Sequence, residues 1–129
     1  MNIAESFVEY MEDLGLGTFG TDIFFSQVPD LPDTCWWITS SGGSSVVKNH
    51  TGERTKDYFL SVYYRSTNAE MVYEKMQDFE ETINEKGCVQ LNGYDTIEME
   101  ANTFPTDTDL DNEDRVLALM QVRVRVYQS

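Results

Sequence analysis

Between residues 55 and 87 the apolar pattern changes its period once, and that switch constrains the fold more than any other feature of the chain. Tyr58, Leu60, Val62 and Tyr64 alternate with Asp57, Phe59, Ser61, Tyr63 and Arg65, which places the two sets on opposite faces of a β-strand. Past Ser66, the residues Ala69, Val72, Met76, Phe79 and Ile83 recur at steps of three and four, one face of an α-helix. Thr67-Asn68-Ala69-Glu70 reads as a capping box, with Thr67 accepting from an orphan amide and Glu70 reaching back. Gly87 fits the left-handed residue just past a helix end. A strand and a long amphipathic helix therefore share one core.

The other segments supply the rest of that core. Ile3, Phe7, Met11 and Leu14 form the stripe of a first helix, widened by Val8 and Tyr10, with Asn2 as its cap and Gly15 as its stop. Residues 22–28 read as a strand, and two prolines make 29–33 a rigid turn. Thr34-Cys35-Trp36-Trp37-Ile38-Thr39 is the next strand. Its adjacent tryptophans must point to opposite faces, so one enters the core and the other meets a second layer, a partner or water. The Gly/Ser run 40–45 is a flexible loop, and Val46-Val47 is a β fragment. Residues 88–91, Asn92-Gly93 and 94–101 read as a hairpin closed by a type I′ turn, with Ile97 and Met99 on the buried face. Residues 102–114 form an acidic loop, and 115–128 a long closing strand. In that strand Val116, Ala118, Met120, Val122, Val124 and Val126 share one face. Leu117, Leu119, Gln121, Arg123, Arg125 and Tyr127 share the other.

Nine Lys and Arg stand against 23 Asp and Glu, a net charge of −14, which leaves no basic footprint for nucleic acid and would repel an anionic membrane. No Lys or Arg precedes Lys48, so no signal or transit peptide is expected, and no apolar run approaches a membrane span. Cys35 and Cys88 make no metal spacing and are expected as free thiols. His50, in a polar loop, is the sole histidine, which argues against a Cys–His nucleophile. Asp107-Thr108-Asp109-Leu110-Asp111 opens like a calcium loop, but the required Gly is Asn112 and the closing Glu is Ala118. No catalytic motif occurs, so neither an enzyme nor a cofactor is expected. The outer face of the second helix carries Glu70, Glu74, Asp78, Glu81 and Glu85, including like charges four apart that cost about 0.2–0.5 kcal/mol a pair.

The element order predicts an α+β fold: a mostly antiparallel sheet with both helices packed on one face, as a single domain over 1–129. The helices leave the other face bare. Leu117, Leu119, Tyr127 and one of Trp36 and Trp37 would then be stranded there, and a monomer rarely leaves such a patch in water. Trp36, Trp37, Leu117, Leu119, Arg123, Arg125 and Tyr127 are accordingly the expected subunit contacts, the arginines placed where a neighbour can offer its acids.

The layout is also familiar. A short N-terminal helix is followed by Ile23-Phe24-Phe25-Ser26-Gln27-Val28-Pro29-Asp30-Leu31-Pro32-Asp33 leading into a Trp-Trp strand. A Gly/Ser loop, a strand feeding an acidic helix and a closing Val/Arg strand complete it. Over nearly its whole length the chain resembles the tail terminator and minor capsid (tail completion) proteins of long-tailed bacteriophages. The resemblance implies a structural virion protein that caps the tail tube as a ring, with six copies, and offers the docking face for the head. Its implied partners are its own copies, the tail tube protein and a head-completion or connector protein. DNA would pass through without specific binding, and no membrane is involved. The implied location is the head-proximal end of the tail, after assembly in the host cytoplasm. The resemblance brings no catalytic residue, metal or cofactor. The acidity also suggests a different class, an inhibitor that imitates DNA.

Overall fold

The computed structural model describes residues 3–25, 34–40, 46–48, 54–87, 89–103 and 116–128. Helix α1 (Ile3–Asp13) is followed by β1 (Ile23–Phe25), β2 (Cys35–Ser40), β3 (Val46–Lys48) and β4 (Arg54–Ser66). Helix α2 (Ala69–Lys86), β5 (Thr96–Thr103) and β6 (Val116–Gln128) complete the order. The six strands form one sheet in the order β1–β2–β4–β6–β5, with β3 also on β4. Only β1 and β2 run parallel; the other pairs are antiparallel. This is the expected α+β architecture.

The sheet is built on β4 and β6. Each has thirteen residues, paired from Arg54↔Gln128 to Ser66↔Val116. With a side-chain period of two, that register sets Leu60 beside Val122, Val62 beside Met120 and Tyr64 beside Ala118, all on one buried face. Both helices cover this face. Phe79 of α2 touches Phe7 of α1 at 5.8 Å and Trp36 of β2 at 5.6 Å between ring centroids. Val72, Met76, Phe79 and Ile83 are buried as their spacing requires, and Ile3, Phe7, Val8, Tyr10 and Met11 do the same for α1. The Tyr10 hydroxyl is buried here without a hydrogen-bond partner among the described residues.

Local chemistry places the ends of α2. Its cap is Asn68, not Thr67. Asn68 is extended (φ −103°, ψ 104°) and its side chain accepts from the Met71 amide, so the helix begins one residue later than the capping-box reading. Gly87 ends it at φ 65°, donating its amide to the Ile83 carbonyl.

The hairpin differs more. Leu91 and Tyr94 close a turn over Asn92-Gly93, with the Tyr94 amide donating to the Leu91 carbonyl at 3.0 Å and Gly93 at φ 85°. Residues 89–91 form no strand, however, and β5 pairs with β6 instead. A bulge between Thr96 and Glu98 also shifts the register. Thr96, Met99 and Ala101 are buried, while Ile97, expected inside beside Met99, is only half-buried. Asn102 and Thr103 belong to β5 rather than to the acidic loop. Cys35 is buried and not part of a disulfide among the described residues. Cys88, His50, the Asn2 cap, the 29–33 turn and the calcium-like segment 107–111 lie outside the described residues.

Candidate functional site

Strand alternation assigns a second set of side chains to the face of the sheet that neither helix covers. Cross-strand neighbours there run from aromatic to ionic along the strands. At one end Trp37 lies opposite Tyr63, and Tyr63 opposite Leu119. The Trp37 and Tyr63 rings stack at 4.9 Å and 3°. The Arg65 guanidinium lies 5.9 Å from the Trp37 ring, within cation–π range. In the middle Ser61 faces Gln121. Toward the other end Phe59 faces Arg123 and Asp57 faces Arg125, while β5 sets Glu100 beside Arg123 and Glu98 beside Arg125.

The ionic end is a connected network. Arg125 grips Asp57 with two parallel bonds, Nε to Oδ1 at 2.8 Å and Nη2 to Oδ2 at 3.1 Å. Arg123 donates to Glu98, donates to Glu100 at 3.0 Å, and brings Nη1 within 3.8 Å of Asp57. Asp57 is the buried member, with its side chain 8% exposed. The hydrogen bond from Arg125 holds its carboxyl below the ordinary aspartate range. The charges of Arg125 and Arg123 add to this, and burial opposes it. The same bond raises the Arg125 guanidinium. Among the described residues three carboxylates thus meet two guanidiniums, which makes this set anionic.

Six of the seven expected contact residues lie on this face: Trp37, Leu117, Leu119, Arg123, Arg125 and Tyr127. Trp36 does not. It is 3% exposed on the helix side, packed on Tyr64 at 4.3 Å and edge-on to Phe79. Trp37 is itself only 8% exposed, so of the two tryptophans neither stands in water. Leu117 and Leu119 are half-buried and Tyr127 is 50% exposed. The arginines depart from expectation most clearly: their acids come from the same chain. Asp57, Glu98 and Glu100 were visible as strand residues, but the period of two does not say which strand neighbours which.

Two acidic features lie elsewhere among the described residues. A cleft of about 390 Å³ beside α1 is lined by Glu5, Val8, Glu12, Phe19 and Phe25. The outer face of α2 exposes Glu70, Glu74, Asp78, Glu81 and Glu85. Among the described residues no group of three or more His, Cys, Asp or Glu converges to hold a metal ion. No helix among them is long and apolar enough to cross a membrane.

The family model described as bacteriophage tail terminator protein matches residues 10–128. Among solved structures, a chain from the virion of a native gene transfer agent particle is similar at 15% identity and a TM-score of 0.43. The match covers 84% of this chain and 81% of that one. No curated protein matches by sequence.

Proposed function

This chain belongs to the bacteriophage tail terminator family, a family of structural virion proteins, and from that premise we propose that it caps the tail tube as a ring and presents the face on which the head docks. Six copies form the ring at the head-proximal end of the tail, after assembly in the host cytoplasm. Its partners are its own copies, the tail tube protein and a head-completion or connector protein. Its role is structural, not enzymatic.

The observation that carries the reading is the one-sided sheet. Among the described residues, helices cover one face of two thirteen-residue strands, about 40 Å long at 3.3 Å per residue, and no helix covers the other. Leu117, Leu119 and Tyr127 lie on the other, half-buried or exposed. Identical subunits meeting head to tail can bury such a face and close when the rotation permits. The exposed acids elsewhere let DNA pass through the channel without sticking.

The test is tail completion. Leu117→Asp with Leu119→Asp should leave a folded chain that no longer completes tails. Normal tails would show that β6 is not the contact, and an unfolded variant would show that its outer face is core. The exposed carboxylate row of α2 favours a second reading, an inhibitor that imitates DNA. Tight, salt-sensitive inhibition of a DNA-binding enzyme by the free chain would select it over the ring.

A further inference from the structure

Among the described residues the sheet ends at β5, and an edge strand ordinarily presents unpaired N–H and C=O groups on which another strand can form. One side of β5 is occupied by β6. On the other side the backbones of Thr96, Met99 and Ala101 point outward, and each has a partner that belongs to no strand. The Ala101 amide donates to Oδ1 of Asn84 at 2.9 Å, and Nδ2 of Asn84 donates to the Ala101 carbonyl at 2.9 Å. The Met99 amide donates to the Gly87 carbonyl at 2.8 Å. At Thr96 the pattern of Ala101 repeats with another side chain. Nε2 of Gln90 donates to the Thr96 carbonyl at 2.8 Å, and the Thr96 amide donates to Oε1 of Gln90 at 3.4 Å. A side-chain carboxamide carries the donor and acceptor of a peptide group. Asn84 and Gln90 therefore fill two positions of a missing strand, with the helix-end carbonyl of Gly87 between them. The bulge beside Thr96 further breaks the regular spacing a new strand would need.

We propose that Asn84 and Gln90 are edge guards, which keep a second copy of this chain from adding a strand to β5. Association is thereby directed away from continuation of the sheet and left to other surfaces. The proposal stands on the hydrogen bonds alone and does not depend on the ring.

The full chain is compared with Asn84→Ala, Gln90→Ala and the double variant. Both positions are exposed, and Ala is the better helix former at 84, so the fold is retained. Sedimentation over a range of concentrations reads association, and residue-resolved hydrogen exchange reads the Thr96 and Ala101 amides. In dilute double variant both amides should exchange at least tenfold faster than in the unmodified chain. With rising concentration the double variant should self-associate, and the same amides should regain protection as a second copy's strand takes the vacated positions. Asn84→Asp keeps an acceptor for the Ala101 amide and adds a charge at the edge, so it should sediment like the unmodified chain. A double variant that never associates would overturn the proposal. So would association in which Thr96 and Ala101 still exchange freely, because the contact would then lie elsewhere. If the double variant does not fold, Asn84→Ala alone decides through the Ala101 amide and its mass.

Discussion

Replacing Asp57 with Asn keeps the shape of the side chain and removes the charge that Arg125 grips and Arg123 approaches. Two charge-assisted bonds at 2.8 and 3.1 Å join Asp57 to Arg125. Such bonds contribute about 1.5–3 kcal/mol each, and breaking a fully buried pair costs about 3–5 kcal/mol. Arg125 is 32% exposed, so water can take up part of its charge once the partner is lost, and Glu98 remains beside it. The expected cost is therefore reduced to about 1–3 kcal/mol. With an unfolding entropy of about 2.1 cal/mol/K per residue over 129 residues, this is a fall in Tm of roughly 4–11 °C. The pH dependence has a definite sign. Hydrogen bonding lowers the folded carboxyl below its unfolded value, near 3.9. The stabilisation is then full above about pH 4 and is lost as the pH falls through the lower folded value. Urea unfolding of both chains should show the full difference at neutral pH and a shrinking one once the pH falls below the unfolded value of about 3.9. A penalty that is the same at both pH values, or no penalty at neutral pH, would refute the assignment of this stabilisation to the ion pair.

Tyr10→Phe removes a buried hydroxyl with no partner among the described residues. It should leave stability unchanged or raise it by about 1 kcal/mol, read by thermal unfolding. Gly87→Ala should cost about 1 kcal/mol in the same assay, because Gly87 sits at φ 65° while a Cβ there would meet nothing within 4 Å. Cys35 is fully buried and should resist a thiol reagent in the native chain, and after denaturation without reductant the reagent should report two thiols, Cys35 and Cys88.

The parts of the fold legible in the sequence are those fixed by burial on one side. In β4 and β6 the alternation is strict because one face of each meets the helices, and a slip of one residue would expose Leu60, Val62, Met120 and Val122 together. The stripe of α2 is legible for the same reason. Features set by a distant partner were not. Asn92-Gly93 makes its turn, but local propensity cannot say that β5 will find β6 rather than residues 89–91. Once it does, Gln90 serves the strand through its side chain and Thr96 turns inward at the bulge. The sequence leaves the helix cap open by one residue because Thr67 and Asn68 are both good caps, and the extended backbone of Asn68 decides between them. The ionic site was half legible. The alternation of β6 places Arg123 and Arg125 on one face, but it does not name their acids, because Asp57 is 68 residues from Arg125 and only the register brings them together.

That self-sufficiency changes what the face away from the helices can contribute under the ring reading. A neighbour seeking Arg125 would have to displace Asp57, a bidentate partner that is already desolvated, and would leave a buried carboxylate behind. Attraction must then come from the apolar side chains, Leu117, Leu119 and the exposed ring of Tyr127, through burial at about 25 cal/mol per Å². The ionic end acts instead through orientation. Asp57, Glu98 and Glu100 outnumber Arg123 and Arg125, so the cluster repels another of its kind. A two-fold contact centred on the ionic end would set two anionic clusters against each other. A head-to-tail contact brings different parts of the two copies together and avoids that clash, and it is the geometry from which rings close. The charge pattern and the apolar pattern thus favour the same arrangement for different reasons, one by exclusion and the other by burial.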